Sequence, residues 1–245
     1  MDLELRTKQF VQYLEDCKSK NEYVGLGNPF GKILIVGKEP SAKGCAEKHI
    51  VENINYVSSC FENDNMQELY RQPRPKSAGH AWNKYQKLID YVRGYPCTNP
   101  KETDFCMDVF TTEINNTISL TTVAAEHKFR IDTFKNSDFI KGFPVVILAC
   151  SDYIHNIPGD WQINDTFEVE FDTLNGAHTN YPKGNWFYVH HSINDNKKRI
   201  LIHTRNLSRY CSNALLQNIA EEIKKHLSMI GESISGLTNR ERSTW

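Results

Sequence analysis

The sequence predicts an α/β protein: a three-layer α/β/α sandwich around a central, mostly parallel sheet. Three observations predict it. Short aliphatic runs, "KILIVG" at 32–37, "VVILAC" at 145–150 and "RILIHT" at 199–204, are bounded by turn chemistry, as strands buried on both faces are. Stretches with helical periodicity alternate with them, the order that builds parallel sheets. No internal repeat, low-complexity segment or composition shift breaks the pattern, so residues 1–230 read as one domain and 231–245 as a C-terminal tail.

Taken in order, residues 3–17 predict a helix whose apolar face is Leu3, Phe10, Tyr13, Leu14 and Cys17. "NPFG" at 28–31 is a turn, and "KILIVG" is the first strand. The stretch "ENINYVSSCFENDNMQELY" is helical in part. "RQPRPKSAGH" at 71–80, with two prolines and a glycine, predicts a long irregular loop. "AWNKYQKLIDYVRG" carries Trp82, Tyr85, Ile89 and Val92 at helical spacing and ends on Gly94, a helix stop. A strand centres on Met107–Thr112, and "RIDTFKNSDFIKGFP" predicts one helix. After "VVILAC", "FEVEFDTL" and "NWFYVHHS" predict strands around the turn-rich "NGAHTNYPKGN". "RILIHT" is the last strand, and "NALLQNIAEEIKKHLSMI" closes the fold as an amphipathic helix.

The 245 residues carry a net charge of −1, with 39% hydrophobic and 24% charged residues, values of a soluble globular chain. That balance excludes a strong global attraction to nucleic acid or anionic membrane but not a local basic patch. The seven cysteines are scattered with no Cys-x-x-Cys pair, which predicts a reducing compartment rather than a disulfide framework. The N-terminus lacks the basic start and apolar run of a secretory signal, and no stretch is apolar enough to span a bilayer. A soluble, cytoplasmic, monomeric protein with no membrane partner is the expectation.

Open parallel sheets bind ligands beyond the carboxyl ends of their strands, so the residues that follow each strand are the candidates. These are Lys38, Glu39 and Pro40 after the first strand, and Glu113, Asn115 and Asn116 after the second. Ser151 and Asp152 follow the third, and His203, Thr204, Arg205 and Asn206 the last. Each has a plain alternative. Glu39 is either a solvated turn charge or a carboxylate that orients or deprotonates a water. His203 is either structural or a catalytic hydrogen-bonding group. Asn115 is a turn residue or a reader of a base or amide edge. Trp82 is core or a stacking platform. Arg205 is a solvated cation or a phosphate contact, and the "KKR" run at 197–199 is a solvated rim. His190 and His191 are adjacent on a strand and point to opposite faces, which rules them out as co-ligands of one metal. No Gly-rich nucleotide loop and no Gly-x-Ser-x-Gly elbow occurs, and no metal or cofactor is expected.

The order of these strand ends resembles the uracil-DNA glycosylase superfamily. Gly37-Lys38-Glu39-Pro40 is similar to the family's first motif, Gly-x-(Asp, Glu or Ala)-Pro. His203-Thr204-Arg205-Asn206-Leu207-Ser208 is similar to its late histidine motif, commonly His-Pro-Ser, from which this chain departs at Thr204 and Arg205. Between them lie the asparagine-containing strand end at 110–116 and the aliphatic strand at 145–150, so the resemblance spans residues 32–216. No cysteine set suits the iron–sulfur cluster that some members hold. The resemblance implies the fold and, with it, excision of a damaged or deaminated base from DNA. Glu39 and His203 would be catalytic. Gly37, Asn115 and Trp82 would meet the base, with Tyr56 and Phe61 as rivals for the stacking aromatic. Arg205 and Ser208 would meet phosphate. The alternative expectation is a non-catalytic nucleobase-, nucleotide- or nucleic-acid-binding protein that keeps the fold. A third is a small-molecule hydrolase on a similar sheet.

Overall fold

Why the aliphatic runs become the centre of the molecule is visible in a computed structural model, which describes residues 2–38, 46–116, 129–193, 197–208 and 210–234. In chain order the elements are α1 (Leu3–Lys20), β1 (Leu26–Gly27), β2 (Ile33–Gly37), α2 (Ala46–Glu62), β3 (Gln72–Pro73), α3 (Ala81–Arg93), β4 (Glu102–Thr103) and β5 (Val109–Glu113). There follow α4 (Ile131–Lys135), α5 (Asp138–Lys141), β6 (Val145–Leu148), α6 (Gln162–Phe167), β7 (Val169–Phe171), β8 (Ala177–His178), β9 (Phe187–Ser192), β10 (Ile200–Thr204) and α7 (Asn213–Met229).

Eight strands form one mixed sheet in the order β1-β5-β2-β6-β10-β9-β7, with β8 paired to β9. Its four central strands, β5, β2, β6 and β10, are parallel. The strands at both edges are antiparallel to their neighbours. The sheet expected to be mostly parallel is thus parallel at its centre and mixed as a whole. The central strands have no solvent face, and this is why β2, β6 and the first three residues of β10 are continuous aliphatic runs rather than alternating ones, while β5 buries Thr111 and Thr112 with their hydroxyls hydrogen-bonded. Alternate residues feed two cores. Leu34, Val36, Val146, Leu148 and Leu201 pack with α1, α2 and the short helices. Ile33, Ile35, Ile147, Ile200 and Ile202 pack with α3 and α7. Helices therefore cover both faces, giving the three layers, and full burial of each such side chain stabilises by about 1.5–3 kcal/mol.

Several elements differ from the sequence expectation. The buried face of α1 is Arg6, Phe10, Tyr13, Leu14 and Cys17, and Leu3 is exposed. Arg6 lies 4.1 Å from the ring centroids of both Phe139 and Phe143, and donates to the carbonyls of Phe139 and Pro29. The aromatic faces and carbonyls replace water around the charge. Burial nevertheless lowers the Arg6 pKa to about 9. The segment 131–141 is two short helices, because the Ser137 side chain accepts from the Ile140 amide and starts a new helix. The proline-rich loop is not wholly irregular, since Gln72 and Pro73 pair with Thr103 and Glu102. Gly94 ends α3 in the left-handed region at φ 79°, as a C-terminal cap should. Among the described residues no helix is long and apolar enough to cross a membrane, and the six described cysteines are free thiols.

Candidate functional site

The chain passes from β2 to β5 on one side and then to β6 on the other. The strand order therefore reverses at β2, and a crevice opens beyond the carboxyl ends at such a point. Four strand ends meet there.

At the end of β2, Gly37 is a matter of space. A Cβ placed on it would lie 2.8 Å from Cδ and 3.0 Å from Oε1 of Glu113, the last residue of β5. The Glu113 carboxylate thus covers the Gly37 backbone. The next residue, Lys38, accepts from the Asn115 amide through its carbonyl at 2.9 Å, while the Gly37 carbonyl accepts from Ile114. Its ammonium lies 4.2 Å from the ring centroid of Tyr153, just beyond β6. Phe129 meets the edge of the same ring at 5.5 Å. Glu39 and Pro40 lie outside the described residues.

Behind β5 stands Arg130, the anchor of this rim. All five of its N–H donors are used, on Glu22 Oε2, Thr112 Oγ1, the Glu113 carbonyl, Tyr13 Oη and Cys17 Sγ, at 2.9–3.3 Å. Burial opposes its charge, but Tyr13, Cys17 and Glu22 outweigh that, and the pKa rises. Asn115 is 1% exposed. Asn116 ties the strand end to the α1–β1 connection, accepting from the Tyr23 amide and donating to the Asn21 carbonyl.

On the other side of β2, Ser151 follows β6 with φ 55°, a left-handed conformation that a serine adopts only under constraint. Two bonds supply the constraint. The Ser151 carbonyl accepts from His203 Nε2 at 2.7 Å, and its Oγ accepts from the Asn206 amide at 2.9 Å. His203 is 7% exposed, and the Trp186 ring meets it edge-on at 5.0 Å. Burial, with the His155 charge adding to it, lowers its pKa, while the Ser151 carbonyl and Asp152 act in the opposite sense. A carbonyl only accepts, so the neutral ring carries its proton on Nε2 and keeps a lone pair on Nδ1. Donation from His203 to a base oxygen would need the imidazolium, which burial disfavours. In this geometry His203 is an acceptor.

The rim thus joins Asn115, Lys38, Tyr153, Ser151 and His203 through successive contacts and short chain steps. Its chemistry is two-sided. By strand alternation Glu113 lies on the α3–α7 side of the sheet and His203 on the α1–α2 side. Trp82 is not part of this linkage. Its ring meets His80 and Phe105, and Phe105 belongs to the turn at the amino end of β5. Of its rivals, Phe61 packs on Phe10, and Tyr56 is exposed on α2 and donates to the Glu68 carbonyl. Tyr153 and Trp186 are two aromatic rings that do lie at these strand ends. Neither was singled out in the sequence: Tyr153 simply follows Ser151 and Asp152, and Trp186 comes beside β10 only through the fold. Arg205 is half-buried and donates to the Gly184 carbonyl at 3.4 Å. Ser208 is half-buried in the loop before α7, whose capping side chain is instead Ser212.

His190 and His191 do face opposite ways, one beside Asn156 and the other 3.7 Å from Asp172. Among the described residues no group of three or more His, Cys, Asp or Glu could hold a metal ion. The rim offers a cation, a carboxylate, an imidazole acceptor and aromatic faces, groups that can hydrogen-bond and stack on a flat polar ring. No protein-family model matches the sequence, and no curated protein matches it.

Proposed function

We propose that this protein recognises a nucleobase at the carboxyl-end crevice and hydrolyses its N-glycosidic bond in nucleic acid, in the manner of the uracil-DNA glycosylase superfamily. The observation that carries the reading is the meeting of the Gly37–Lys38, Glu113–Asn116, Ser151–Tyr153 and His203–Asn206 strand ends at the point where the sheet order reverses. These are the strand ends on which the sequence resemblance rests.

The target base must leave the stack for its glycosidic bond to be reached. In the crevice, the Nδ1 lone pair of His203 accepts an N–H of the base. The Glu113 carboxylate, an acceptor only, favours base edges that present donors. Glu39 takes a proton from a water whose oxygen bonds the sugar C1′ as the bond from C1′ to the base nitrogen breaks. The departing base carries the electron pair, and the Lys38 ammonium lies beside the path of that developing charge. Preorganised charge of this kind is usually the largest catalytic contribution.

The bond between His203 and the Ser151 carbonyl favours a second reading, a nucleobase-binding protein without chemistry. It occupies the nitrogen that would otherwise donate to a leaving base. One experiment separates the two: incubate single- and double-stranded DNA carrying uracil, hypoxanthine or xanthine with the protein, then measure abasic sites. Release that is lost in Glu39→Gln supports the glycosylase. Tight base binding with no release supports the second reading.

A further inference from the structure

In a chain of net charge −1, residues 71–89 carry five cations, Arg71, Arg74, Lys76, Lys84 and Lys87, and no Asp or Glu. Residues 199–220 likewise contain no acid. The fold brings the two segments together. Arg74 Nε donates to Asn83 Oδ1 at 3.2 Å, and the next residue, Lys84, reaches the Cys211 carbonyl with its Nζ at 3.4 Å. Arg205 comes to the same place from the other segment: it donates to the Gly184 carbonyl, and the next residue, Asn185, donates to the Tyr210 carbonyl and accepts from the Ser212 amide, on either side of Cys211. Arg205 is two residues from His203. Arg74, Lys84 and Arg205 thus form a file that ends at the crevice, with Lys76 exposed beside its start.

The loop carrying this file is braced, not loose. Asn83 Nδ2 donates to the carbonyls of Pro75 and Ser77, and the Arg74 amide to Lys101. Beside Cys211 stands Tyr210, 69% exposed and held at φ 65°, with Asn185 Nδ2 donating to its carbonyl. A large exposed ring next to spaced cations is the composition of a surface that tracks a single strand: cations meet successive phosphates, and the ring stacks on an unpaired base. A duplex hides its base faces and gives Tyr210 nothing to stack on.

We infer that the surface Arg74–Lys84–Arg205–Tyr210 binds a single-stranded segment of nucleic acid and feeds it to the crevice. The inference rests on the nucleobase reading of the crevice and adds the polymer that delivers the base. Its test needs no excision. A labelled, unmodified single-stranded oligonucleotide is titrated with the protein by fluorescence anisotropy over a series of potassium chloride concentrations. The Arg74→Glu/Lys84→Glu pair, Lys76→Glu and Tyr210→Ala are compared with wild type, each first shown to unfold at the wild-type temperature.

The double variant should bind at least tenfold more weakly at low salt. It should also flatten the slope of log affinity against log salt by about 1.4, two contacts at about 0.7 each for a single strand. Lys76→Glu should flatten the slope by about 0.7. Tyr210→Ala should weaken binding about fivefold or more with an unchanged slope. An affinity and slope equal to wild type in the double variant overturn the inference, as does tighter binding of a blunt duplex than of the single strand. Strand binding by this surface without base release keeps the inference and sinks the glycosylase reading. Base release that the double variant leaves unchanged does the reverse.

Discussion

Replacing Arg130 with methionine tests whether the β5 rim is held as described. The guanidinium is 1% exposed and satisfies five acceptors at once, one of them the Glu22 carboxylate, itself only 15% accessible. Methionine fills much of the volume and supplies no donor. Tyr13 keeps its bond to the Val24 carbonyl, so the main loss is a nearly buried carboxylate without its cation, together with the freed Glu113 carbonyl. Removing one partner of a buried pair costs about 3–5 kcal/mol. For a chain of this size that lowers the unfolding midpoint by roughly 6–20 °C. Removing both charges, as in Arg130→Met/Glu22→Gln, should restore about half of the loss, because no charge is left stranded. The assay is urea unfolding of wild type, both single variants and the double. A loss below about 1 kcal/mol for Arg130→Met, outside the range of buried pairs, would refute the reasoning, as would a double variant less stable than either single one.

Three further outcomes follow from the same geometry. Burial lowers the His190 pKa to about 4, so the unfolded chain takes up a proton that the folded chain refuses as pH falls from about 6.5. Its contribution is intact above pH 6.5 and lost towards pH 4, about 3 kcal/mol in all, and urea unfolding across that window should show a shallower decline in His190→Gln. Ser151→Ala leaves the Asn206 amide without its acceptor, a loss of about 1–3 kcal/mol. Ser151→Gly should recover roughly 1 kcal/mol of that, because glycine accepts the left-handed φ; equal stability of the two variants would show that φ 55° stores no strain. Gly37→Ala drives a methyl group into the Glu113 carboxylate. The flexible side chain yields at about 1 kcal/mol, so thermal unfolding should change little while nucleobase binding falls, and unchanged binding would remove Glu113 from the site.

How much of this could be read in the sequence depends on what holds each part. Strands β2, β6 and β10 were legible because burial on both faces fills β2, β6 and the start of β10 with aliphatic residues, and Gly94 because only a left-handed stop needed it. The face of α1 was not, because Arg6 is buried through aromatic faces and carbonyls that lie far away in sequence. The split at Asn136–Ser137 was hidden by apolar residues that kept helical spacing across it. Looking beyond the strand ends pointed to Gly37, Glu113 and His203, which the fold brings to the carboxyl ends of adjacent strands. It could not find that the Ser151 carbonyl fixes the His203 proton on Nε2, since a backbone acceptor leaves no mark on residue identity. Trp82, chosen for its chemistry, packs instead against Phe105, and Tyr153 became visible only once β6 lay beside β2.

The central claim is that the crevice beyond β2 and β6 acts on a nucleobase. Single-turnover release of free base from single-stranded DNA, measured for uracil, hypoxanthine and xanthine, tests it most directly. The account predicts release by the wild type that falls at least a hundredfold in Glu39→Gln, the loss expected when a general base is removed, and that falls in His203→Phe without loss of folding. No release of any base, with no nucleobase bound in the same experiment, would contradict it.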